Sequence, residues 1–142
     1  MNRLKINAFI MAVLAIALVT AACNKGGASS PTVAFTAFYE ASRKKDVDAA
    51  KRMFSKRTLE LFEVQAKAQS KTVEDMLKAG LERKPMPEKM PETRNEKING
   101  DEATLEIKDE ESGRWDTLTF VKEDGQWRIA LDKMGTQTPN SK

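Results

Sequence analysis

The sequence predicts an α+β domain, with N-terminal helices packed on one face of a curved antiparallel β-meander. Three observations predict it. From Phe35 to Leu77 the apolar residues recur at helical spacing. The segment Arg83–Pro91 then interrupts with prolines at 85, 87 and 91, too many for a helix interior. Beyond Pro91 apolar and polar residues alternate, broken by short glycine-bearing turns. Helices first and strands afterwards is the order of an α+β domain.

The elements follow in turn. Ser30-Pro31 opens a first helix, because serine accepts a backbone N–H as N-cap and proline fits the first turn. Phe35, Phe38, Tyr39 and Ser42 fall on its core side, and Lys44-Lys45 suit its C-terminus. Asp46 caps a second, short helix that buries Val47, Ala50, Met53 and Phe54. Ser55 opens a third, carrying Leu59, Phe62 and Ala66 on one side. Thr72 opens a fourth, with Asp75 placed for a capping box and Val73, Met76 and Leu77 as its apolar side; Gly80 is expected to loosen or end it. A weak strand over Thr93–Ile98 starts the meander. Ala103, Leu105 and Ile107 form the inward set of the next strand, Leu118 and Phe120 of the third, and Trp127, Ile129 and Leu131 of the last. Asn99-Gly100-Asp101, Ser112-Gly113 and Asp124-Gly125 supply the hairpin turns.

The N-terminus carries the address. Arg3 and Lys5 precede an apolar run from Ile6 to Ala22, and Thr20-Ala21-Ala22 is a small-residue exit, the pattern of an export signal. The purely apolar part, 8–19, spans only about 18 Å as a helix against roughly 30 Å of hydrocarbon. Cys23, the single cysteine, follows at once. This segment resembles the lipobox of bacterial lipoproteins, with Thr20 where leucine is commonest. The resemblance implies that Cys23 is lipid-modified and becomes the first mature residue. It also implies a cell-envelope location facing the periplasm or the exterior, with Asn24 favouring an outer membrane. An extracytoplasmic cysteine without a disulfide partner fits acylation. The expected organisation is therefore a signal over 1–22, a Gly/Ser-rich tether over 23–30, one domain over 31–134 and a disordered tail over 135–142.

The totals exclude several classes. The precursor has 24 basic and 21 acidic residues, and removal of Arg3 and Lys5 leaves the mature chain at 22 against 21, or +1. Such a balance, with no stacking surface, argues against nucleic acid as a partner. With no histidine and one cysteine, the chain has no Ser-His-Asp or Cys-His dyad, no imidazole metal ligand and no cysteine-based zinc site. No cofactor is expected. The acidic run Asp109-Glu110-Glu111 lacks the spacing of a calcium loop, and Met86 with Met90 is a weak soft-metal set; solvation and apolar packing account for them. Asp116 with Tyr39 is the one conceivable acid–phenol pair, for which a solvent-facing Asp116 and a packed Tyr39 are the favoured account.

The stretches Phe38-Tyr39-Glu40-Ala41, Asp46-Val47-Asp48-Ala49-Ala50 with Met53-Phe54-Ser55, and Leu118 to Ile129 resemble the opening and closing hairpin of the nuclear-transport-factor-2-like (cystatin-like) superfamily. They are similar in particular to small bacterial lipoproteins with this fold. The resemblance spans 31–132 and implies a cone between helices and sheet. Its motifs are structural, and no catalytic motif transfers. Phe35, Phe38, Tyr39, Met53, Phe54, Phe62, Trp115 and Trp127 are the candidate lining of that cone, with Arg128 or Tyr39 as polar anchor. The expected function is a non-catalytic module binding a small apolar ligand or a protein partner, with a sheet-mediated homodimer as a further arrangement. The alternative is a small isomerase- or hydrolase-like enzyme using a carboxylate in the cone. Replacing Cys23 with serine is expected to move the domain from the membrane to the soluble fraction, read by fractionation; retention on membranes after signal cleavage would refute the lipid anchor.

Overall fold

The computed structural model describes residues 27–134. The expected signal, Cys23 and the expected C-terminal tail lie outside the described residues. The chain order is α1 (Pro31–Arg43), α2 (Val47–Arg52), α3 (Lys56–Ala68), α4 (Val73–Arg83), then β1 (Thr93–Asn99), β2 (Glu102–Lys108), β3 (Trp115–Glu123), β4 (Gln126–Ile129) and a 3-10 turn, Leu131–Lys133. The α+β class and its element order stand as expected.

Each helix starts where a side chain satisfies an otherwise orphaned N–H. Ser30 accepts from Val33, Asp46 from Ala49 (2.9 Å) and Ser55 from Thr58 (3.1 Å). At α4 the capping box is complete, Thr72 and Asp75 each accepting from the other's backbone N–H. These hydrogen bonds from Thr72 hold the Asp75 carboxyl below its usual range. Gly80 does not end α4, which runs on to Arg83.

The sheet is an antiparallel meander in the order β1-β2-β3-β4. At the β3–β4 turn both Asp124 (φ 51°) and Gly125 (φ 74°) take the left-handed conformation, the pair a two-residue hairpin of matching twist requires. In register, Ala103 faces Phe120, Leu105 faces Leu118 and Phe120 faces Ile129, so one face of three strands is continuously apolar. Ala34 and Phe35 of α1, with Met53 and Phe54 after α2, pack on that face. β1 carries a bulge between Arg94 and Lys97, with Asn95 at φ 53°. A bulge on an edge strand spoils it as a template for further strands. Within it, Glu96 accepts from the Thr32 backbone N–H (2.9 Å) and hydroxyl (2.6 Å), placing a carboxylate at the N-terminus of α1.

The other edge is closed by the chain itself. Ile129 donates to the Met53 carbonyl (2.7 Å) and Ser55 donates to that of Ile129 (2.9 Å), a parallel bridge between Phe54 and Ile129. Further along β4, Trp127 donates to the Ala28 carbonyl (3.0 Å), and Ala28 is buried. The end of the expected tether therefore docks on the sheet. Gly27 lies so close to Gln126 that a Cβ would fall 1.6 Å from its side-chain oxygen, an approach open only to glycine unless Gln126 moves.

Leu131, expected in the last strand, instead begins the 3-10 turn. A hydroxyl relay draws it away: Thr58 Oγ1 accepts from the Leu131 N–H (3.0 Å) and from Ser55 Oγ (2.9 Å), and donates to the Asp132 carboxylate (2.9 Å). Ser55 and Thr58 are each 1% exposed, so water cannot substitute for a lost partner. Thr58→Val, which keeps the shape and removes the hydroxyl, is expected to cost about 2 kcal/mol of unfolding free energy by urea titration. A change under about 0.5 kcal/mol would show that the relay contributes little.

Candidate functional site

The helices leave a groove between them, floored by residues that belong to the core or pack against it. Its floor is aromatic: Phe54 meets Phe38 (ring centroids 5.3 Å, interplanar 69°) and Phe62 (5.4 Å, 78°), both edge-to-face, with Ala50 beside them. One wall is α4, which presents Met76, Leu77, Gly80 and Leu81. The cavity measures about 240 Å³, and no titratable side chain lines it. Local sequence explains the shape. Positions 76, 77, 80 and 81 recur at i, i+1, i+4 and i+5, one face of a helix. Gly80 removes a side chain from the middle of that face, and a Cβ built there meets no heavy atom within 4 Å.

Of the nine candidate lining residues, the structure brings three together here: Phe38, Phe54 and Phe62. Phe35, Met53 and Trp127 are 5%, 7% and 2% exposed and belong to the packed core. Tyr39 is buried too, and its hydroxyl lies within hydrogen-bonding distance of the Pro87 (2.8 Å) and Glu88 (2.9 Å) carbonyls. Arg43, stacked near the Tyr39 ring, donates to the same Glu88 carbonyl (2.8 Å). Both clamp the proline-rich connector onto α1 rather than anchoring a ligand. Arg128 points its guanidinium at the Arg52 carbonyl at the end of α2.

Trp115 is on the wrong face. It pairs with Lys108, whereas Trp127 pairs with Lys122, and positions 115 and 122 on one strand point to opposite sides. On the outer face Trp115 lies under the Arg94 guanidinium, 3.8 Å from the ring centroid, a cation–π contact. Arg94 in turn pairs with Glu106 at 2.6 Å, and this bond with one from Asn95 (3.0 Å) holds the Glu106 carboxyl below its usual range. Ala50, Met76, Leu77, Gly80 and Leu81 complete the groove and are not among the candidate lining residues. For α4 the available signal is the continuation of the Met76, Leu77 face past a glycine expected to loosen or end the helix.

The acidic candidates resolve into structural roles. Asp109 accepts from the Ser112 N–H (2.7 Å) and hydroxyl and from the Glu111 N–H, building the β2–β3 turn, and those bonds lower its pKa. Asp116 is exposed at the start of β3. Glu74 is ion-paired with Lys51, whose hydrogen bond lowers its pKa. Among the described residues no three Cys, Asp or Glu side chains gather as a metal site.

Gly80→Ala is expected to stabilise the domain by about 1 kcal/mol, because alanine is the better helix former and its methyl group enters open space. A higher urea midpoint at unchanged slope would show this; a lower one would mean that the groove wall is closed in solution.

No family model matches the chain, and neither does any curated protein or solved structure.

Proposed function

We propose that the chain is a membrane-anchored, extracytoplasmic lipoprotein whose domain, a cystatin-like variant of the α+β class, is a non-catalytic binding module. The group it holds is apolar and sits in the helical groove. One observation carries this reading: the groove of about 240 Å³ is lined by aromatic, aliphatic and thioether side chains and one glycine. Apolar cavities of about 150 Å³ accept a benzene-sized guest, so the space suffices for a small ligand. A surface of this kind left open to water costs free energy that a bound apolar group recovers. The anchoring half of the proposal rests on the lipobox resemblance ending at Cys23.

The competing enzyme needs an Asp or Glu within the pocket whose pKa is raised toward neutrality. None of the groove-lining residues is acidic. The carboxyls of Glu74, Asp75, Glu106 and Asp109 are all moved downward by hydrogen-bonding partners, opposite to a poised general acid. Both observations support binding over catalysis.

A neutral solvatochromic dye, Nile red, is expected to bind the full chain saturably with a blue-shifted emission. Gly80→Ala should retain that binding, and Gly80→Leu, which extends a side chain into the groove, should weaken it roughly tenfold or more. Saturable binding indifferent to the leucine would locate the dye elsewhere and sink the groove as the site.

A further inference from the structure

The chain enters the domain at a fixed point. Ala28 is buried and its carbonyl accepts from the Trp127 N–H on β4, while Gly27 lies against the Gln126 side chain. Followed back from Ala28 to Gly27, the chain therefore runs along β4 toward the Asp124-Gly125 turn. The β1–β2 turn lies at the same end of the sheet, its Asp101 carbonyl accepting from the Lys122 N–H. Going forward, a few residues carry the chain from Ala28 on one edge strand to Thr32, hydrogen-bonded to Glu96 on the other edge strand. Two exposed large apolar side chains lie by this entry. Val33 is 45% exposed in the first turn of α1, and Ile98 is 55% exposed at the end of β1 beside its turn. The 109–114 turn joins the opposite ends of β2 and β3, about 20 Å away along the strands.

We propose that this end of the domain, with Val33, Ile98 and the turns at 99–101 and 124–125, is a membrane-docking surface. Its partner is a lipid bilayer, and the 109–114 turn faces away from it. This rests on the reading of Cys23 as the lipidated residue and adds which face the anchor holds against the bilayer. The length of free chain is the argument. From Cys23 to Gly27 the chain reaches at most about 14 Å even when fully extended. A domain of this size is roughly 30 Å across, so its entry point stays in the half nearer the membrane. A tether free as far as Ser30 would reach about 25 Å and impose no such preference. Docking of Ala28 on β4 is what shortens it. Val33 and Ile98 give this end apolar surface to bury at the bilayer interface. Lys56 pairs with Asp124 and Lys133 with Glu102 here, so the surface makes no demand for anionic lipid.

The test uses the full chain, exported and processed with its own signal, in phosphatidylcholine vesicles that carry a nitroxide on a fraction of the headgroups. Asp101→Cys and Glu110→Cys, both at exposed positions, each receive a thiol-reactive fluorophore. The label at 101 is expected to be quenched roughly threefold more strongly than that at 110, since a strand length separates them. Inserting about twelve Gly/Ser residues between Lys25 and Gly26 adds about 20 Å of average reach and is expected to bring the two labels close to equality. Equal quenching without the insertion, or stronger quenching at 110, would overturn the docking surface while flotation with the vesicles still showed the anchor. A difference unchanged by the insertion would overturn the short tether as its cause. Failure to float with the vesicles, to the same degree as Cys23→Ser, would overturn the anchor and this surface with it. The urea midpoint of each labelled chain serves as the check that it is folded.

Discussion

The closure of the β4 edge by Met53–Ser55 is the contact on which the rest of the molecule depends. A four-stranded meander has two open edges, and an open edge exposes N–H and C=O groups that must find partners. Here the partner is the junction between α2 and α3: Ile129 donates a hydrogen bond to Met53 on one flank and accepts one from Ser55 on the other. That junction turns the helical half back onto the sheet, so the apolar faces of α1 and of β2–β4 close on each other. Phe54 serves both sides of the arrangement. Its backbone is the bridge partner of Ile129, and its ring is the centre of the aromatic trio that floors the groove. Sheet closure and groove are therefore consequences of one residue's placement.

The relay through Ser55, Thr58 and Asp132 reinforces the same corner. Ser55 is at once the N-cap of α3, the donor to the Ile129 carbonyl and a member of the relay. A residue with three simultaneous obligations leaves the backbone little freedom there. By contrast α4 is held at its start by its capping box, by the Lys51–Glu74 ion pair and by packing on α2 and α3, with Leu77 packed against the core. The groove lies between that corner and α4.

Much of the fold was legible from particular residues. Ser30, Asp46, Ser55 and Thr72 announce helix starts because their short side chains can bond a nearby backbone N–H, a purely local matter. The alternation through Ala103–Ile107 and Leu118–Phe120 announces strands, and Asp124-Gly125 announces a turn, again locally. The candidate site was less legible. Trp115 and Trp127 both read as large apolar residues on neighbouring strands. Trp115 lies three and five residues before the inward Leu118 and Phe120, so alternation along one strand puts it on the opposite face; what the structure adds is that β3 runs back to Trp115, which makes that parity hold. The fate of Leu131 was invisible, since its N–H partner, Thr58, lies 73 residues earlier.

The sequence by itself determined the class of the domain, the order and starts of its elements and the apolar faces available for burial. Those follow from periodicity and capping, which act over a few residues. Only the tertiary structure decided which aromatic residues fill the core and which stay at a groove. Only it docked Ala28 on β4, and clamped the proline connector with Tyr39 and Arg43. Those outcomes depend on contacts between residues distant in the chain, where several pairings satisfy the same local pattern and close packing of the whole selects one.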